Sequence, residues 1–153
     1  MAARTSLTPK QHRTIAADLF NEVWRLMEVK GRTREDDLRM VHAAHASRHH
    51  WGVVGTPRNL AVGEWQVSRV YAVLGRGEPA TVHAEACLAL CRRHRLKGWV
   101  LAYAYEALAR AAAVAGRRRD RDRYLRLGGR AGRAIRAADD RDQFLRDLAT
   151  VAR

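Results

Sequence analysis

Two cysteines and three prolines are all that 153 residues contain of either type. Two cysteines cannot build the multi-bridge framework of a small secreted domain, and Met1 to Ser6 has no apolar core of the kind a secretion leader needs. A reducing cytoplasm is therefore the expected compartment. The prolines (Pro9, Pro57, Pro79) each stand at a break between apolar runs. The long proline-poor stretches between them favour helices over many short strands. No apolar run is clean enough for a bilayer. The stretch from Gly98 to Gly116 comes nearest, but Glu106 and Arg110 interrupt it, so it reads as a buried core helix with no membrane role. Phosphate loop, GxGxxG, nucleophile elbow and paired-cysteine zinc motif are all missing. The common signatures of nucleotide binding, acyl transfer and structural zinc are thereby absent, and the balance tips away from an enzyme.

What is present is apolar content of 47%, normal for a globular chain, and a formal charge of +13. Only three of the 29 basic residues are lysines, at 10, 30 and 97. The 26 arginines suit bidentate binding of carboxylates or phosphates, though a GC-rich genome yields the same bias. After Gly116 twelve arginines face six aspartates, interleaved as in Arg117-Arg118-Arg119-Asp120-Arg121-Asp122-Arg123. Mixed signs at that spacing read as a solvated helix face. Basic residues are spread over the whole chain and not gathered in one groove, which leaves nucleic-acid binding, including a helix-turn-helix, as a minor alternative.

Helix starts are legible. Thr8-Pro9 and Thr56-Pro57 each place a capping hydroxyl before a proline suited to the first helical position. Thr33 precedes Arg34-Glu35-Asp36, putting acids where the helix dipole favours them. Pro79, Asp120 and Asp139 are taken to open three more helices, and Gly31, Gly52 or Gly55, Gly75, Gly98 and Gly116 to end the preceding ones. The result is an all-α expectation of seven helices over 9–30, 34–51, 57–74, 79–95, 98–115, 120–137 and 140–152, with residues 1–7 unstructured. Short connections make neighbours antiparallel within one domain over 1–153.

Ala72-Val73-Leu74-Gly75 matches Ala113-Val114-Ala115-Gly116 at an offset of 41, and a weaker copy ends at Gly31. Ser68, Tyr71, Gly75, Ala80 and Cys87 in the middle copy follow a pattern of small residues, an aromatic and a turn glycine. So do Tyr105, Leu108, Ala109, Gly116, Leu125 and Gly128 in the last copy. In the first, Gly31, Met40 and Ala43 fit. Over residues 14 to 138 the chain resembles a tetratricopeptide-repeat protein, with a period longer than the family's usual one. The resemblance implies three stacked helix pairs, closed here by a final capping helix in which Phe144, Leu145 and Leu148 are backed by charge. It also implies that the first helix of each pair lines a concave groove.

Three constellations could carry function. In that register the groove receives Arg25, Trp65, Arg69, Tyr103, Glu106 and Arg110, with Arg25, Arg69 and Arg110 at one equivalent position. Such a row suits carboxylates or phosphates. It makes a binding module the leading expectation, with an acidic peptide, an acidic partner protein or an anionic small molecule as ligand. The competing expectation pairs these arginines internally with Glu64, Glu106 and Glu28. The second constellation is the helix containing His42, His45 and His49, which share one face with Leu38 and Val41. Apolar residues on both sides of this helix suggest that the histidine face is partly buried. These histidines would be acid–base groups of a small enzyme or sensor, with Trp51, Trp65, Arg69 and Tyr105 as pocket wall. His45 and His49 have the spacing of a divalent-metal pair, but the zincin glutamate is missing, and no cofactor is otherwise implied. The third is the stripe His83, Cys87, Cys91 and His94, zinc ligand types on paper. Cys87 falls at a small buried position of the repeat, so a packing role is the stronger reading. A stack of three pairs leaves an open end, with which a homodimer is compatible.

Overall fold

The structure is a computed structural model that describes residues 6–151. It contains seven helices: α1 (Pro9–Glu28), α2 (Arg34–Val54), α3 (Pro57–Val73), α4 (Gly77–Arg93), α5 (Trp99–Val114), α6 (Arg118–Arg133) and α7 (Ala138–Ala149). No strand occurs among the described residues. The expected unstructured stretch 1–7 lies largely outside them, as does the end of the helix expected to run to 152.

Three helices begin with a reciprocal capping box. Thr8 pairs with Gln11, Thr33 with Asp36 and Thr56 with Asn59, each hydroxyl accepting from the third backbone N–H while the third side chain accepts from the cap. Two orphan donors are thereby satisfied at each start. Of the other starts, that of α5 falls one residue later than expected, at Trp99, and three lie slightly earlier. α4 begins at Gly77, α6 at Arg118 and α7 at Ala138. Pro79 and Asp120 therefore occupy the third helical position and Asp139 the second. A proline is tolerated in a first turn because its missing N–H would have had no partner there. The break after α2 falls at Gly55, and Gly52 stays helical.

The offset of 41 is a structural repeat. After α3, Gly75 (φ +72°) donates to Ala72 and Arg76 donates to the Tyr71 carbonyl. After α5, Gly116 (φ +73°) donates to Ala113 and Arg117 to the Ala112 carbonyl. Both are the same left-handed C-cap, in which paired bonds satisfy the last carbonyls.

Sequential helices pack in adjacent pairs, α1 on α2, α3 on α4 and α5 on α6, while α7 closes the stack against α5 and α6. The backbones of the odd-numbered helices also approach one another in order, α1–α3–α5–α7, whereas those of α2, α4 and α6 stay further apart. Closer spacing on the odd side bends the stack toward that side, which is therefore the concave layer. Buried hydroxyls tie the pairs together: Ser47 donates to the Ala16 carbonyl and Ser68 to that of Ala80, each over 2.8 Å. At the closing end, Gly132 lets Phe144 lie directly against the α6 backbone. A Cβ there would fall 2.3 Å from two ring carbons. No described helix is long and apolar enough to cross a membrane.

Candidate functional site

The concave layer carries a continuous ladder of aromatic rings, one rung per odd helix. Trp24 of α1 stands 5.4 Å from Trp65 of α3 between ring centroids, Trp65 stands 5.1 Å from Tyr103 of α5, and Tyr103 stands 4.9 Å from Phe144 of α7. Phe20 and Trp99 flank it one turn away, at 6.0 Å from Trp24 and 6.2 Å from Tyr103. Tilted and edge-to-face pairs at such separations are the favoured arrangements for aromatic quadrupoles.

Beneath the ladder lies Glu106, fully buried on α5. Arg110 Nε donates to its Oε1 at 2.6 Å, Arg69 Nη1 donates to the same oxygen at 3.0 Å, and Trp65 Nε1 donates to Oε2 at 3.3 Å. Arg110 also reaches the Asp147 carbonyl and the Thr150 hydroxyl, and the Tyr103 hydroxyl donates to the Asp147 carboxylate at 2.5 Å. Burial pulls the pKa of Arg69 below its ordinary value against the attraction of Glu106. Burial, reinforced by the bond to Asp147, raises that of Tyr103.

Five of the six residues expected to form the groove (Trp65, Arg69, Tyr103, Glu106, Arg110) are thus brought together. The arginines, however, are compensated: two guanidinium groups share one carboxylate, and the space between Trp65, Arg69, Glu106 and Arg110 is filled. Arg25 is elsewhere. It pairs with Glu22 at 2.6 Å, not with Glu28, and lines a hollow between α1 and α2. The helix packing, which the linear spacing does not encode, separates it from the other two.

Open volume sits one turn from the ladder. A cavity of about 300 Å³ is lined by Phe20 and Asn21 of α1, Trp51 of α2, Arg58 and Val62 of α3, and Trp99 of α5. The Arg58 guanidinium lies 4.7 Å over the Trp99 ring and has no carboxylate partner among the described residues. On its other side Trp99 lines a hollow of about 670 Å³ with Leu101, Ile135 and Arg136. Phe20, Trp51, Arg58 and Trp99 were not singled out as one site by their spacing. Trp51 and Trp99 stand near helix ends, and only the fold brings those ends together.

The histidine helix disperses its side chains. His42, His45 and His49 are all exposed, as is Leu38 at 51%, because α2 buries only the face bearing Met40, Ala43, Ala44 and Ser47. The expected second buried face is absent. His42 lines the α1–α2 hollow beside Glu22 and Arg39, and the ring of His49 lies 5.4 Å from that of His50. His50 in turn shares a 2.8 Å Nδ1–Nδ1 hydrogen bond with His12 of α1. Burial, then the charge of His12, lowers its pKa.

His45 joins a separate outer cluster. Its Nε2 lies 2.8 Å from the Tyr71 hydroxyl, and its ring is 5.2 Å from that of His83. His83 Nδ1 bonds Glu64 at 2.7 Å, and Arg48 Nε donates to the other Glu64 oxygen at 2.8 Å. Burial alone would raise the Glu64 pKa, but the His83 bond and the Arg48 charge outweigh it and hold the group below its usual range. Burial, then the charge of His83, lowers that of His45. Cys87 and Cys91 are buried free thiols, and His94 is exposed at the α4 C-cap. The bond to Cys91 and burial both push the Cys87 thiol upward. Among the described residues no group of three or more His, Cys, Asp or Glu side chains is arranged to hold a metal ion.

No family model, curated protein or solved structure matches this chain.

Proposed function

We propose that the protein is a divergent tetratricopeptide-like binding module that takes an acidic peptide segment on its concave layer. The observation that carries this reading is the cavity framed by Phe20, Trp51, Val62 and Trp99 with an unneutralised Arg58 over one ring. Aromatic walls bury apolar side chains at low entropic cost, and a guanidinium free of internal carboxylates binds one from outside. A ligand combining an aromatic or leucine side chain with a carboxylate one or two residues away suits both. Arg69 and Arg110 then serve a different purpose from Arg58. With Glu106 they hold α3, α5 and α7 in register, so that the wall keeps its shape.

Selection of a random heptapeptide library displayed on phage against the immobilised chain tests this. The expected outcome is enrichment of carboxylates next to aromatic or leucine residues, with retention lost in Trp99→Ala and in Arg58→Glu. Peptides that bind both variants as tightly as the wild type would refute it.

A further inference from the structure

α6 carries seven arginines and two aspartates in sixteen residues. The aspartates are used locally: Asp120 pairs with Arg117 and Asp122 with Arg121. What remains is a pattern hidden by that alternation. Arg119, Arg123, Arg126, Arg130 and Arg133 follow one another at steps of four, three, four and three, which keeps them on one face of a 3.6-residue helix. All five are exposed, and none has a carboxylate within salt-bridge distance among the described residues. The last three line a hollow of about 420 Å³ with Leu125 and Gly129. At a rise of 1.5 Å per residue the stripe is roughly 21 Å long.

Like charges three and four apart on a helix repel. Four successive Arg–Arg neighbours therefore weaken α6 in isolation, and an external polyanion would remove that penalty. α6 is also firmly seated: Gly128 packs against Leu148 and Tyr105, and Gly132 packs against Phe144, so the stripe is presented on a fixed rod.

We infer that the α6 stripe docks on the phosphate backbone of a nucleic-acid duplex, at a surface separate from the concave cavity. Three features favour this occupant. Backbone binding is electrostatic and needs no apolar anchor, whereas a stable protein interface and a membrane both do. None of the large exposed apolar side chains lies on α6. Single-strand binding relies on exposed aromatic platforms, and the one aromatic of α6, Tyr124, is half-buried with Arg123 over its ring.

Fluorescence anisotropy with a labelled 20-base-pair DNA duplex, across a salt series, tests the inference. Each neutralised phosphate contributes about 0.9 to the slope of log affinity on log salt, so five contacts give a slope near −4.5. Arg126→Gln/Arg130→Gln/Arg133→Gln should shallow it by about 2.7 and weaken binding at least about tenfold at 100 mM salt. The control Arg13→Gln/Lys30→Gln/Arg34→Gln removes the same charge elsewhere and should change the slope by less than one. The stripe variant loses only repulsive neighbours, so it should melt no lower than the wild type. Equal losses in both triple variants would overturn the inference, and so would a flat salt response. Preference of the stripe for poly-glutamate or anionic vesicles over the duplex would overturn it too.

Discussion

Two buried-side carboxylates, Glu106 and Glu64, hold the stack together from opposite layers by different means. Glu106 sits under the concave ladder and is bound by two guanidinium groups and an indole. Glu64 faces the outer layer, where Arg48 of α2 and His83 of α4 meet it. Each links neighbouring helix pairs: Glu106 joins α5 to α3, and Glu64 joins α3 to α2. The inner partners are two arginines and an indole, whereas the outer set includes His83 and, beside it, His45, whose pKa burial and then the charge of His83 lower. The concave wall is therefore built to be invariant, and the convex cluster to respond to acid.

The sharpest way to break this contrast is Glu106→Ala. It leaves two largely buried guanidinium groups without their shared carboxylate, and removing one partner of a buried ion cluster costs about 3–5 kcal/mol. Urea unfolding should show that loss equally at pH 7.5 and 5.5. Glu64→Ala should cost less, on the order of 1–3 kcal/mol, because Glu64 is itself partly solvated whereas Glu106 is wholly buried. A larger loss there than at Glu106 would reverse the ranking of the two clusters.

The smallest effect is the pH response of the outer layer. The His45 pKa is depressed by burial and then by His83. An unfolded chain therefore takes up a proton near the ordinary value of 6.5 that the folded chain refuses. Stability from this site is complete above about 6.5 and is lost as pH falls through the folded value. The groups facing it are His83, Glu64, His42 and Tyr71. The urea midpoint should fall between pH 7.5 and 5.5, and His45→Asn should flatten part of that fall. His50, depressed in the same direction, adds to that fall.

Local chemistry made the helices legible. Threonine caps, turn glycines and the 41-residue offset depend on residues a few positions apart, and they located every helix to within a few residues. The capping helix with Phe144 and Leu148 could be read in the same way. The pairing of Glu106 with Arg110, four residues on, was accessible for the same reason. Its pairing with Arg69 depends on how α3 lies on α5, which no spacing along the chain encodes. The same dependence moved Arg25 out of the cluster, turned His42, His45 and His49 toward three different surroundings, and assembled Phe20, Trp51, Arg58 and Trp99 from four helices. The α6 stripe is the opposite case. It was readable from a four-three repeat, but the alternating signs of residues 117–123 hid it.

Of the four tryptophans of the chain, Trp24 and Trp65 are rungs of the ladder, and Trp51 and Trp99 stand in the wall of the cavity beside it. Excited selectively, the unmodified protein emits from the ladder and the cavity alone, while the outer cluster and the α6 stripe stay dark. The ladder is thus a built-in optical probe: a ligand entering the cavity will shift the emission, and a polyanion docking on α6 will leave its colour unchanged.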